Sequence, residues 1–141
     1  MKDSRVFVDT NIFLYASLED NFQQGKRTRA INLLKGLSGK IVFINTQVLH
    51  EFYSVMLRHG ASDEAIQELL DAIIAETKVS VIKVNTVKRC WNMRLKYRYN
   101  YWDCLILASA LENDCGILYT EDLQHGQIIE KSLNIVNPFL S

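Results

Sequence analysis

Four carboxylates stand where an acid is costly or conspicuous: Asp9, Glu51, Asp103 and Asp122. Asp9 directly follows the apolar run Val6-Phe7-Val8, and Asp122 ends Thr120-Glu121-Asp122, just after the run from Gly116 to Tyr119. Glu51 has Val48 three residues before it and Val55 four after it, so a helix there puts the acid on an apolar face. Asp103 precedes Cys104 to Leu111, where only Ser109 is polar, and shares a helical face with Ile106, Leu107 and Ala110. An inward-facing acid is unfavourable unless it is paired or bound to a metal.

Each acid alone has an ordinary explanation. Asp9, with Thr10 and Asn11, can cap a helix. Glu51 can sit in a salt bridge at the edge of its stripe, Asp103 can stabilise a helix dipole, and Asp122 is a favoured turn residue. Together they imply more. Four carboxylates aimed at one pocket repel each other and raise some of their pKa values unless a cation offsets them. Hard oxygen ligands suit Mg²⁺ or Mn²⁺, and such a site activates water and offsets charge on a phosphodiester. The chemistry implied is metal-assisted phosphodiester hydrolysis, through one ion or two.

The elements that must position these acids are short apolar runs alternating with helical patterns. Strands are expected at Val6–Val8, Ile41–Ile44, Val79–Val84, Gly116–Tyr119 and Asn134–Val136. Helices are expected over 11–17, 24–38, 47–59, 63–76, 86–98 and 102–113. Continuous apolar strands separated by helices predict an α/β fold, a three-layer α/β/α sandwich on a mainly parallel sheet. In such sheets ligands bind beyond the carboxyl ends of the strands. Asp9-Thr10-Asn11, Asn45-Thr46 and Thr120-Glu121-Asp122 each follow a strand, so three strand ends deliver polar groups to one edge.

Bulk properties bound the reading. The 141 residues fit a single domain spanning 1–141, with no repeat, linker or low-complexity tract. Sixteen basic residues balance sixteen acidic ones, so whole-chain charge gives no support to strong non-specific nucleic-acid binding. No signal-peptide pattern and no span of about 18 apolar residues occurs, which predicts a soluble protein. Cys90, Cys104 and Cys115 are odd in number and far apart, as expected of small buried hydrophobes rather than zinc ligands.

In order and interval, these motifs resemble the PIN-domain family over nearly the whole chain. Val8-Asp9-Thr10-Asn11 is similar to its opening motif, in which the Asp binds metal and the Thr and Asn support it. Glu51 in Val48-Leu49-His50-Glu51-Phe52 matches the second acid, and Asp103 matches the third. Thr120-Glu121-Asp122 matches a Ser/Thr-x-Asp motif, with Asp122 the fourth acid, Thr120 supporting it and Glu121 a candidate to share its role. Two features depart from the pattern. Leu123-Gln124-His125-Gly126 follows where an aromatic residue is common, and Trp102 before Asp103 is bulky. The resemblance extends to VapC-type toxins and implies a cytoplasmic Mg²⁺- or Mn²⁺-dependent endoribonuclease that forms homodimers and pairs with a cognate antitoxin. A PIN-like module that binds RNA or protein without cutting is the alternative. A haloacid-dehalogenase-type phosphatase would need an acid where Asn11 stands, and the motif order does not fit a receiver domain.

From Thr77 to Trp102 there are seven basic residues and no acid, interleaved with Trp91, Tyr97, Tyr99, Tyr101 and Trp102. Cations and aromatic faces are the parts of a single-strand nucleic-acid surface. Arg94, Lys96, Arg98 and Trp102 are therefore candidates for guiding RNA toward Asp103, against the competing reading of a solvated helix face with core aromatics. The segment from Asp63 to Glu76 holds five acids and no base and reads as a solvated face. His50, His59 and His125 lack ligand spacing, and His125 is a weak candidate for substrate contact through its proximity to Asp122.

Overall fold

The computed structural model describes residues 4–19 and 24–140. Its elements run β1 (Arg5–Val8), α1 (Thr10–Ser17), α2 (Gln24–Gly36), β2 (Ile41–Asn45), α3 (Thr46–Arg58), α4 (Asp63–Glu76), β3 (Lys78–Ser80), α5 (Val84–Tyr97), α6 (Tyr101–Glu112), β4 (Ile117–Tyr119), β5 (Ile128–Ile129) and β6 (Leu133–Val136). One sheet in the order β3-β2-β1-β4-β6-β5 forms the middle layer. Every pairing is parallel except β5 with β6. Helices cover this sheet as the expected α/β/α sandwich.

Burial explains the placement. Val6, Phe7 and Val8 are fully buried in the central strand, and α6 is buried at every position from Cys104 to Leu111. A helix apolar all round belongs inside. Each fully buried large side chain contributes about 1.5–3 kcal/mol of transfer free energy. The three cysteines are buried and free, as expected. Burial pushes the Cys115 thiol up to about 12, so it behaves as a small hydrophobe.

The chain runs β1, β2, β3 outward on one side of the sheet and then crosses to β4 on the other side of β1. The switch point thus falls between β1 and β4. Register aligns Val8 with Tyr119, so Asp9 and Thr120 leave the sheet side by side. Adjacent parallel strands diverging at their carboxyl ends open a crevice there.

Two expectations are corrected. The strand expected at Val79–Val84 is only Lys78–Ser80, and Val84 already opens α5. The Lys83 N–H bonds Thr86 Oγ1 at 3.2 Å, and the Thr86 hydroxyl lies 2.9 Å from Glu112 Oε2, so capping draws the chain off the sheet edge. Val81 and Val84 are left exposed. The hairpin strand β5 was not expected at all. Its turn places Glu130 and Lys131 at positive φ (49° and 62°) and is closed by Ser132 N–H donating to Ile129 O. Turns of this hand usually carry Gly or Asn, so the sequence lacks the usual signal.

Candidate metal centre

Asp9 caps a helix, the ordinary role that its position suggested. It is the N-cap of α1, with Oδ1 accepting the Thr10 N–H at 2.7 Å. Its Oδ2 accepts the Thr120 hydroxyl at 2.8 Å across the β1–β4 junction. Thr120 Oγ1 in turn accepts the Asp122 N–H at 3.1 Å. Asn11, in the first turn of α1, donates from Nδ2 to Asp122 Oδ2 at 3.0 Å. One threonine and one asparagine thereby tie the ends of two strands together.

Asp103 comes from the first turn of α6 and faces the same point. One carboxylate oxygen each from Asp9, Asp103 and Asp122 lies within 4.8 Å of the others. Glu51 is not part of that trio, although it acts on Asp9 and Asp103 through its charge. Its Oε1 accepts Gln47 Nε2 at 2.6 Å, and the same nitrogen donates to Trp102 O at 3.1 Å, which links α3 to α6 beside Asp103. Asn45 fixes the same joint. Its Oδ1 caps α3 by accepting the Val48 N–H, and its Nδ2 donates to Ser109 Oγ at 2.8 Å.

The electrostatics follow from the crowding. Burial pushes the Asp9 carboxyl up to about 7; its two hydrogen bonds oppose the rise, while Asp122 and Glu51 add to it. Burial pushes Asp103 up to about 6, helped by Asp122 and Glu51. Glu51 and Asp122 are also raised, again first by burial, with Gln47 and Asn11 respectively pulling them down. Among the described residues no Lys or Arg forms an ion pair with any of the four. Negative charge is concentrated here without a protein counter-charge in contact, which a bound cation would supply. The all-oxygen donor set suits a hard divalent ion. Asn11 Oδ1, buried and without a hydrogen-bond partner, is a further acceptor at the same place. The residues fit the ion.

Other candidates separate. Glu121 points away from the trio: its Oε2 accepts Lys26 Nζ at 2.9 Å and its Oε1 accepts the Tyr15 hydroxyl. Lys26 and Tyr15 were not foreseen, since a pair 95 residues apart leaves no local pattern. Gln47 was missed too, although its spacing of four from Glu51 on one helix was the available signal. In the basic tract, Arg94 Nη1 donates to Tyr99 O, Lys96 pairs with Glu130 at 2.6 Å, and Arg98 ends α5 at φ 63°. Tyr97 donates its hydroxyl to Glu130, and Tyr99 bonds Gln127, so these tyrosines join α5 to the β5–β6 hairpin. Trp91 and Trp102 remain exposed. His125 Nδ1 accepts the Asn137 N–H, a structural bond.

Similarity to known proteins agrees with this fold. The family model for the PIN domain matches residues 6–130. The fold is similar to VapC20 of Mycobacterium tuberculosis, a sarcin-ricin loop cleaving toxin, with TM-score 0.65 and 16% identity over 80% of this chain and 86% of that one. It is similar to a chain of a toxin-antitoxin complex from Klebsiella pneumoniae, with TM-score 0.69 and 18% identity over 94% of this chain and 97% of the other. A chain of VapBC2 from Rickettsia felis, bound to a DNA fragment from its promoter, gives TM-score 0.69 and 18% identity over 94% and 99%. At such identities the likeness is one of fold. No curated protein matches the sequence. With the family model covering most of its length, the chain belongs to the PIN-domain family.

Proposed function

We propose that this protein is a Mg²⁺- or Mn²⁺-dependent endoribonuclease and the toxin component of a toxin–antitoxin pair. The observation that carries the reading is the convergence of Asp9, Asp103 and Asp122 at the β1–β4 switch point, with no Lys or Arg among the described residues paired to them. The three aspartates hold the ion, and Glu51 stands beside them where Gln47 orients it. A bound divalent ion supplies charge offset to the scissile phosphodiester and makes water easier to deprotonate. Thr120 and Asn11 aim the carboxylates of Asp9 and Asp122 before anything binds, so little reorganisation is left for the reaction. Glu51, raised in pKa and at the edge of the trio, accepts the proton released by the attacking water.

The pair partner and the assembly follow from the same reading: a cognate antitoxin, a homodimer, and action in the cytoplasm on RNA. The structural likeness to chains of toxin–antitoxin complexes supports the antitoxin. The test is cleavage of a mixed RNA pool by antitoxin-free protein, with Mg²⁺ or Mn²⁺ and with EDTA, beside Asp9→Asn. Metal-dependent cutting, reduced at least ~100-fold in the variant, is the expected result. Folded protein that binds RNA and leaves it intact with either metal would replace the nuclease by a non-cleaving RNA-binding module.

A further inference from the structure

Directly beside the acids, on the Glu51 side, lies a cavity of about 470 Å³ lined by Gln47, His50, Glu51, Ile82, Trp102 and Leu105, with Thr46 at its margin. We propose that this cavity holds one unpaired nucleobase of the RNA, stacked on Trp102, and so fixes which phosphodiester reaches the aspartates. The inference rests on the nuclease reading and extends it to a specificity-determining pocket.

Three observations lead to an RNA base. The Trp102 ring is 60% exposed, while its backbone is fixed: its N–H caps on Asn100 Oδ1 and its carbonyl accepts Gln47 Nε2. A large exposed aromatic side chain on this fixed backbone has apolar walls beside it in Ile82 and Leu105. Bases stack on such faces, and single-stranded RNA presents them unpaired. Next, the cavity shares Glu51 with the acid cluster, and Trp102 is bonded in the chain to Asp103, so an occupant is directly adjacent to the reacting phosphate. Finally, the Ile82 side of the rim is basic, opposite in sign to Glu51. Lys83 is exposed next to Ile82, and no acid occurs from Thr77 to Trp102.

An apolar peptide entering the same space would gain nothing from Lys83. The bulk of Trp102, which departs from the family pattern, has a use under this reading.

The experiment uses Asp9→Asn, Trp91→Phe protein, which leaves Trp102 as the only tryptophan and prevents cutting. Single-stranded oligoribonucleotides are titrated in EDTA while tryptophan fluorescence is read. The expected result is quenching that vanishes when one nucleotide, at a fixed distance from the cleavage site, is made abasic. In cleaving protein, Trp102→Ala should raise KM about tenfold with kcat within about twofold, and Trp102→Phe should restore most of the loss. Cleavage with an unchanged KM in Trp102→Ala, or RNA binding without quenching, would overturn the pocket. Quenching in a protein that never cleaves would remove the nuclease reading and leave the base pocket standing.

Discussion

Two charged clusters in this molecule are built on opposite terms. At the α5–hairpin joint, Glu130 accepts from Lys96 and Tyr97, and these contacts hold its carboxyl below the usual range. At the β1–β4 crevice, Asp9, Glu51, Asp103 and Asp122 crowd together and all are raised, burial being the first cause. The first cluster is complete within the chain. The second is satisfied only in part, by Thr120, Asn11 and Gln47, and its charge needs something from outside. Satisfied charge marks structure here, and unsatisfied charge marks function.

The largest expected effects break the second cluster. Ionising Asp9 in the fold rather than in the unfolded chain costs roughly 4 kcal/mol when complete, given a pKa of about 7 against 3.8. Asp9→Asn should therefore raise the melting temperature by several degrees at pH 8 in EDTA. The amide still accepts the Thr10 N–H, and the Thr120 hydroxyl can turn to accept from it. A lowered melting temperature would show that the carboxylate is structural.

The same imbalance sets a pH dependence. The folded protein holds the protons of Asp9 and Asp103 more tightly than the unfolded chain does. Stability contributed by the protonated forms is full below about pH 4, and is lost between there and about 6 for Asp103 and about 7 for Asp9. In EDTA, chemical denaturation should show stability falling across that interval, and millimolar Mn²⁺ should reverse the fall at its upper end. A metal-independent profile would contradict the reading.

Asn45→Ala is expected to cost about 2 kcal/mol, since it removes the α3 cap and leaves buried Ser109 without its donor. Denaturant midpoints measure it, and cleavage should weaken as Glu51 loses its fixed frame. The smallest effect belongs to the satisfied cluster. Glu130→Gln should barely move the melting temperature and leave cleavage unchanged, because exposed ion pairs contribute little.

How much of this was legible in the sequence depended on where the signal lay. β1, β2, β4 and β6 showed as apolar runs, and α6 showed as a nearly continuous apolar helix, because burial on all sides leaves a compositional mark. The four acids stood out against those runs. What did not show depended on distant partners or on backbone alone. Glu121 looked equivalent to Asp122 until Lys26 and Tyr15 drew it away. The Glu130-Lys131 turn adopts positive φ without glycine, held by Tyr97 and Lys96 from α5, so tertiary contacts override the local preference. Two of the seven basic residues in that tract, Arg94 and Lys96, are likewise spent on contacts at the end of α5.

The central claim is that the aspartate trio is a cation site whose acids, among the described residues, have no Lys or Arg paired to them. The most direct test is calorimetric titration of Mn²⁺ at pH 6.5 in two buffers of different ionisation enthalpy, on the wild-type protein and on Asp9→Asn. The account predicts saturable binding accompanied by proton release, because a bound ion drives the raised aspartates to ionise, with both binding and release largely lost in the variant. Binding that is equally tight in Asp9→Asn, or that releases no protons, would contradict it.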